Sequence, residues 1–259
     1  MPEVPGLVVT LDAGVLRIRV DRPEQFGALT GEMIDRVAEL VEGATARDDV
    51  RCVVLTGTGA AFSSGADLSG ADPHLNFDRA AMDRANRVVR AIVRSDVPVV
   101  AAVNGVAAGV GCSTALACDL VIAAESASFL LAFARIGLMP DGGASATVPA
   151  SIGRARAMRM ALLAEPLTAQ EAYDAGLVTH VVADDGFAEL VDRTVRRLAA
   201  GPPLALAASK KAVNAATLPH LEEALEREAR GQVTLLRTAD AAEGMRAFGE
   251  KRRPAFRGE

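Results

Sequence analysis

Three glycine-bearing segments carry the residues whose types and spacing could support chemistry. They are residues 62–68 (FSSGADL), 104–111 (NGVAAGVG) and 136–143 (IGLMPDGG). The first two follow apolar runs that predict strands, and glycine at such places lets main-chain N–H groups approach a ligand closely. Two loops of this kind could direct two N–H groups at one oxygen and form an oxyanion hole. Ordinary tight turns explain the same glycines, because isolated glycine loops are weak signals.

Asp141, in the third segment, is a lone carboxylate in an apolar stretch. Phe129, Phe133, Leu138 and Met139 are its neighbours in sequence. Apolar surroundings disfavour the charged form of a carboxylate and move its pKa towards neutrality, where it can exchange protons. This pattern indicates an acid–base group. The alternative is a turn former, since Pro-Asp-Gly is favourable turn sequence.

Composition limits the classes of protein to consider. The chain has 259 residues, of which 50% are hydrophobic and 24% charged, which predicts a globular protein with a sizeable core. A net charge of −5 and only 3% aromatic residues argue against nucleic-acid binding. Cys52, Cys112 and Cys118 lie in apolar contexts without metal-ligand spacing, so we expect reduced core thiols and a cytoplasmic location. The three histidines are scattered, and no metal site is expected.

An uncharged stretch over residues 97–118 is about as long as a membrane span. Proline and glycine interrupt it, and its two parts differ in periodicity, which favours a buried strand, a turn and a buried helix. The beginning of the chain lacks the pattern of a secretory signal. We therefore expect no membrane association.

The first half of the chain alternates strand and helix signals. Strands are predicted at residues 7–11, 15–20, 51–56, 97–103 and 120–124, and helices at 30–42, 77–94 and 109–118. Strands that are apolar on both faces indicate an α/β core whose sheet is covered by helices. After Ile152 only residues 178–182 read as a strand, and helices are predicted to begin near Gly153, Thr168, Phe187, Pro203 and Leu221. We divide the chain into an α/β core, residues 1–200, and a C-terminal helical region, residues 201–259.

The segments together, in this order and spacing, resemble the crotonase superfamily, also called the enoyl-CoA hydratase/isomerase family. The matching sequences are DRP at 21–23, VVLTG at 53–57, FSSGAD at 62–67, PVVAAVNG at 98–105, PDGG at 140–143, AGLV at 175–178 and EGMRAF at 243–248. The resemblance implies a ββα spiral core with a C-terminal helical trimerisation region. It also implies a homotrimer or a dimer of trimers.

The resemblance implies an acyl-CoA thioester as substrate, with no separate cofactor. The thioester oxygen would lie between the main-chain N–H groups of Ala66 and Val110. Contacts to CoA or substrate are implied for Gln25, Ser64, Asp67, Leu68, Phe133, Phe248 and Lys251. Ser69 stands where the family pattern typically has lysine, so one cationic contact to CoA is absent.

The acid–base positions depart from those of the family's hydratases, which use two glutamates. Ser113 and Phe133 stand at these two positions, and neither exchanges a proton usefully at pH 7. Asp141 falls where several isomerases of the family carry an acidic residue. The resemblance therefore favours a 3,2-enoyl-CoA isomerase with Asp141 as proton shuttle. The alternatives are a hydratase with a non-standard acid–base group and a non-catalytic acyl-CoA-binding protein.

Overall fold

A six-stranded sheet forms the centre of the structure, a computed structural model that describes residues 4–70 and 73–259. Its strands are β1 (Leu7–Asp12), β2 (Val15–Val20), β3 (Cys52–Gly57), β5 (Val99–Val103), β7 (Leu120–Ala124) and β10 (His180–Val182), in that spatial order. The first two strands, both predicted from the sequence, form an antiparallel hairpin, and the other neighbours are parallel.

A second, four-stranded sheet was not predicted. It consists of β4 (Ala61–Ser63), β6 (Val106–Ala108), β8 (Ser128–Leu130) and β9 (Leu167–Thr168). Each of β4, β6 and β8 directly follows a strand of the large sheet, and these three are parallel neighbours. The chain therefore makes stacked turns of one spiral, and the loops after equivalent strands become neighbours in space. This arrangement confirms the predicted spiral α/β core.

Helices cover the large sheet and make up the end of the chain. They are α1 (Gly31–Ala44), α2 (Arg79–Arg94), α3 (Gly109–Leu116), α4 (Ala144–Leu163), α5 (Ala169–Asp174), α6 (Phe187–Ala199), α7 (Pro203–Thr217), α8 (Leu221–Leu235) and α9 (Ala239–Gly249). The helix start predicted near Gly153 is confirmed, because Gly153, with φ 76° and ψ 163°, separates two helical segments within α4. The first of these segments, which begins at Ala144, was not predicted. The last helix, α9, was not predicted.

The large sheet is buried on both faces, as the apolar strands predict. Val53 and Leu55 of β3 belong to the main core cluster, whereas Cys52 and Val54 pack towards Val191 of α6 on the other face. The three cysteines are free and buried, and burial raises the pKa of Cys52 and of Cys112 to about 12. Within residues 4–70 and 73–259, no helix is both long enough and apolar enough to cross a lipid bilayer.

A buried ion pair fastens the C-terminal helices to the core. The Nζ atom of Lys210, on α7, lies 2.7 Å from Oδ2 of Asp119 and donates to the carbonyls of Ile92 and Val97. Asp119 also accepts a hydrogen bond of 2.7 Å from the N–H of Val99, the first residue of β5. Burial raises the pKa of Asp119, although Lys210 opposes the shift. The pair therefore joins three elements that are distant in sequence.

We expect Lys210→Met to lower the free energy of unfolding by about 3 kcal/mol, because removing one partner leaves a largely buried carboxylate uncompensated. The adjacent Lys211 pairs with Asp96 at the surface, so Lys211→Met is the matched control and should cost less than about 1 kcal/mol. Urea unfolding at pH 7 measures both. Equal losses in the two variants would show that the buried pair does not fasten α7 to the core.

Candidate active site

A cavity of about 520 Å³ brings together residues from all parts of the chain. Ala66, Val110 and Asp141 line it together, as predicted. The other expected binding residues that line it are Ser64, Asp67, Leu68, Phe133 and Phe248. Gln25 and Lys251 are exposed, and neither is among the described residues of the cavity wall. The structure thus gathers eight of the ten predicted site residues in one cavity.

The loop after β4 is fixed by main-chain pairing with the segment before α1. The N–H of Leu29 donates to the carbonyl of Gly65 at 2.8 Å, and the N–H of Asp67 donates to the carbonyl of Leu29 at 3.0 Å. Successive N–H groups of an extended segment point to opposite sides. The N–H of Ala66 is therefore directed away from Leu29.

The other oxyanion candidate, Val110, lies in the first turn of α3. N–H groups there have no acceptor within the helix, and the capping residue Ala108 supplies no side-chain acceptor. Gly65 has φ +100°, and a Cβ built on it would lie 3.4 Å from the amide nitrogen of Val110 and 3.0 Å from the carbonyl of Ala108. Glycine at position 65 thus allows the two loops to approach each other closely.

Polar side chains hold both loops in place. Asn104, before β6, accepts from the N–H of Gly57 at 3.0 Å and donates to the carbonyls of Gly59 and Ala61. Ser63 donates to the carbonyl of Gly27 at 2.8 Å and accepts from the N–H of Gly65. These bonds join successive turns of the spiral, so the amides near Ala66 and Val110 are positioned before any ligand binds.

Asp141 lies in the loop before α4, and its side chain is buried, with only 7% of the residue exposed. Its Oδ2 atom accepts a hydrogen bond of 2.8 Å from Nε2 of Gln232. The other oxygen, Oδ1, has no hydrogen-bond partner in the described part of the chain. A buried oxygen without a donor is unusual, and here it belongs to a side chain on the cavity wall.

The surroundings of Asp141 raise its pKa to about 7. Burial is the main cause, since it disfavours the charged carboxylate. The hydrogen bond from Gln232 lowers the pKa, whereas the nearby charge of Glu228 raises it. Near neutral pH, both forms of Asp141 are therefore present, as a group that both accepts and returns a proton requires.

Two supporting residues, Glu228 and Gln232, were not identified from the sequence. Glu228 accepts from the N–H groups of Gly143 at 2.7 Å and Ser145 at 2.8 Å, and so caps the start of α4. Gln232 exchanges hydrogen bonds with both main-chain groups of Met139 in addition to Asp141. The signal was present, because these polar residues stand four apart on the apolar face of α8.

Ser113 and Phe133, which the resemblance implies at the glutamate positions of the hydratases, are both buried. The hydroxyl of Ser113 donates to the carbonyl of Gly109 at 3.3 Å, and a Cβ on Gly142 would lie 3.0 Å from Cβ of Ser113. Phe133 contributes an apolar ring to the cavity wall. Neither side chain supplies a group that titrates near pH 7.

Asp67 is the other carboxylate on the described part of the cavity wall. It forms an ion pair of 2.8 Å with Arg22 and accepts from the N–H of Ser69. Burial acts to raise its pKa, but the bonds from Arg22 and Ser69 hold the pKa below its usual value. Asp67 therefore fixes its loop, which leaves Asp141 as the carboxylate of the described cavity wall that titrates near neutrality.

Metal ligation has no support in residues 4–70 and 73–259. No group of three or more His, Cys, Asp or Glu side chains in these ranges is arranged to hold a metal ion. His180 and His220 are exposed, and His74 does not line the cavity.

The raised pKa of Asp141 predicts a pH-dependent effect of Asp141→Asn on stability. The folded state binds this proton more tightly than the unfolded state, so wild type loses stability as the pH rises towards and through 7. Asparagine does not titrate. Relative to wild type, the variant should gain roughly 2 to 3 kcal/mol between pH 5 and pH 8. Urea unfolding across this range measures the difference, and a difference that is independent of pH would contradict the raised pKa.

Removing the donor of Gln232 should raise the pKa of Asp141 further. We expect a higher pKa of Asp141 in Gln232→Met. Carbon-13 NMR of the aspartate carboxyl groups measures this pKa, and the Asp141 signal is assigned by its absence in Asp141→Asn. Gln170 donates to Asp174 at 2.8 Å on the exposed surface, so Gln170→Met is a matched control and should leave the titration unchanged. A lower pKa in Gln232→Met would refute the role assigned to this hydrogen bond.

Comparison with known proteins identifies the family. Residues 10–259 match the family model described as enoyl-CoA hydratase/isomerase. The chain is 44% identical to a probable enoyl-CoA hydratase of Rhodobacter capsulatus, with 96% of each chain covered. It is 38% identical to the 1,2-epoxyphenylacetyl-CoA isomerase of Escherichia coli, over 96% of this chain and 97% of that one.

Solved structures agree with this assignment. An enoyl-CoA hydratase from Mycobacterium avium subsp. paratuberculosis superimposes with a TM-score of 0.93 at 48% identity, and the match covers 98% of this chain and all of that one. The carnitinyl-CoA hydratase from Mycobacterium avium has a TM-score of 0.85 at 33% identity, over 99% of this chain and all of that one. The chain belongs to the enoyl-CoA hydratase/isomerase family and has the crotonase fold.

Proposed function

We propose that this enzyme is a 3,2-enoyl-CoA isomerase in which Asp141 moves a proton between two carbons of the acyl chain. The observation that carries this proposal is the buried carboxylate on the cavity wall, with a pKa of about 7 and one oxygen without a partner. Oδ1 is the atom that takes and returns the proton. The hydrogen bond from Gln232 holds Oδ2 and so fixes the orientation of Oδ1.

The main-chain N–H groups of Ala66 and Val110 bind the thioester oxygen in this mechanism. Proton removal next to a thioester places negative charge on its oxygen, and donors that are already oriented stabilise that charge. Removing one such donor costs roughly 3 to 4 kcal/mol of transition-state stabilisation in a hydrolase. Because these donors are main-chain groups, valine at position 110 retains the chemistry that the site needs.

One acid–base group is sufficient for both proton transfers of the reaction. Ionised Asp141 removes a proton from C2 of a 3-enoyl thioester, and the electron pair moves onto the thioester oxygen as a dienolate. Protonated Asp141 then delivers the same proton to C4, and the double bond lies between C2 and C3. The chain's own amides and carboxylate supply every function, so we propose no cofactor, and CoA enters as part of the substrate.

Phe133 favours isomerisation over hydration in this proposal. Its ring stands on the cavity wall with Leu130 and Leu138, which leaves few polar groups to hold a water molecule near the acyl chain. Addition of water needs a group that positions water and a group that protonates carbon. Asp67 is engaged by Arg22 and so does not replace the missing second carboxylate.

Recognition of CoA is proposed for Ser64, Asp67, Leu68 and Phe248. Phe248, on α9, is 64% exposed although it borders the cavity, as expected for a side chain that covers a ligand. The roles of Gln25 and Lys251 in CoA binding stay predictions, as do the trimer or dimer of trimers, the cytoplasmic location and the boundary at residue 200.

Hydration is the second candidate, because several relatives are named as hydratases, among them the probable enoyl-CoA hydratase of Rhodobacter capsulatus. A protein that binds acyl-CoA without turnover is the third. The products formed from a 3-enoyl-CoA and from a trans-2-enoyl-CoA distinguish the three candidates.

We expect wild type to convert cis- or trans-3-enoyl-CoA to trans-2-enoyl-CoA, with kcat/KM rising with pH as Asp141 ionises around pH 7. Asp141→Asn should lose roughly 10²- to 10⁴-fold in kcat, the usual contribution of a general base. Asp185→Asn, at an exposed aspartate, is the control and should retain full activity. Chromatography coupled to mass spectrometry measures the products.

Two other results would refute isomerisation as the function. Formation of 3-hydroxyacyl-CoA from the trans-2-enoyl substrate that survives in Asp141→Asn would identify a hydratase. Tight binding of both substrates by wild type without any product would identify a binding protein.

A further inference from the structure

Arg84 differs from the other arginines of α2. Of the five arginines on this helix, four form ion pairs with carboxylates at the surface: Arg79 with Asp83 and Glu226, Arg87 with Glu42, and Arg90 and Arg94 with Glu222. Arg84 has no hydrogen bond or ion pair within residues 4–70 and 73–259. It is also the arginine of α2 that lines the cavity.

The guanidinium of Arg84 is half-buried beside the first residue of α1. A Cβ built on Gly31 would lie 3.3 Å from its Nε atom and 3.5 Å from Nη2. The adjoining side chains of the cavity wall are mostly apolar: Leu29, Ile34, Ala81, Met82 and Ala85. A guanidinium has five N–H donors and remains charged at any physiological pH, so partial burial without an acceptor is unfavourable. An acceptor brought by a ligand would compensate for it.

The other three charged side chains on the described cavity wall, unlike Arg84, each form at least one hydrogen bond. Arg135 donates from Nε and Nη2 to the carbonyl of Ala164, at 3.0 and 2.7 Å. Asp67 pairs with Arg22, and Asp141 accepts from Gln232. Of the two arginines on the described cavity wall, Arg84 is therefore the one whose N–H donors are available to a ligand.

We propose that Arg84 forms a subsite for an anionic oxygen group, a carboxylate or a phosphate, carried by the thioester ligand. This inference rests on the proposed acyl-CoA substrate. The planar guanidinium can donate two parallel N–H···O hydrogen bonds to two oxygens of either group. A carboxylate would belong to the far end of a dicarboxylic acyl group, and a phosphate would belong to CoA.

Four ligands separate these two sources: the hexanoyl and adipyl thioesters of CoA and of pantetheine. The acyl groups have the same number of carbons, but only adipyl carries a terminal carboxylate, and pantetheine lacks the phosphates of CoA. All four are saturated, so calorimetry measures binding without turnover. The proteins are wild type, Arg84→Gln, Arg84→Met, which keeps part of the apolar stem, and the control Arg90→Gln on the same helix.

We expect both Arg84 variants to lose tenfold or more in affinity, about the effect of one charge-assisted hydrogen bond, for the ligands that carry the recognised group. A loss confined to the two adipyl esters identifies a carboxylate subsite, and a loss confined to the two CoA esters identifies a phosphate subsite. Arg90→Gln should bind every ligand as wild type does.

The inference is overturned if wild type binds the esters and the Arg84 variants bind them equally well. It is also overturned if the variants lose affinity equally for all four, because hexanoyl-pantetheine carries no anionic group. Failure of wild type to bind either CoA ester would instead overturn the proposed function, and the inference with it.

Discussion

In the proposed mechanism, the exclusion of water from one carboxylate controls the chemistry of the site. In water, Asp141 would be almost fully ionised at neutral pH and would be a poor proton donor. Burial raises its pKa to about 7, and the single hydrogen bond from Gln232 limits that rise. These opposed effects leave a group that exists in both protonation states at the pH where the protein would work. Burial of the charged carboxylate thus costs stability, and the same burial raises the pKa of Asp141 to a value at which it can transfer protons.

That carboxylate depends on the C-terminal helices. Glu228 on α8 caps the start of α4, and Gln232, one turn later, holds Asp141 and the main chain at Met139. The same helix therefore fixes the loop and sets the electrostatics of its one titrating side chain. The region after residue 200, which the sequence suggested as an addition to the core, is part of the site. The ion pair between Lys210 and Asp119 also joins the C-terminal helices to the core.

The sequence predicted the parts of the fold that local patterns determine. Periodicity and capping chemistry account for the long strands, for α1 and for the helix start near Thr168, where the structure has a capping box. The second sheet escaped prediction, because strands of two or three residues have no measurable period. The start of α4 was missed because Pro149 and Gly153 lie within it and weaken its helical signal.

Site prediction failed where the partners are far apart in sequence. The motif residues Ala66, Val110 and Asp141 meet in the cavity as expected. Gln232 is 91 positions from Asp141, and no local pattern indicates which carboxylate a glutamine on α8 will meet. Arg84 resembles the other arginines of its helix in sequence, and only the positions of the surrounding carboxylates distinguish it. Such pairings are determined by the fold and leave no local pattern in the sequence.

The number of donors to Asp141 is itself a constraint on function. A carboxylate that accepts several hydrogen bonds keeps a low pKa and stays ionised, as Asp67 does with Arg22 and Ser69. Asp141 is buried more deeply and has one donor, so one oxygen stays free for a substrate proton. A second donor at Oδ1 would stabilise the anion and occupy the atom that reacts in the proposed mechanism. In the proposed mechanism, this incomplete hydrogen bonding is the property that allows a single residue to act as base and then as acid.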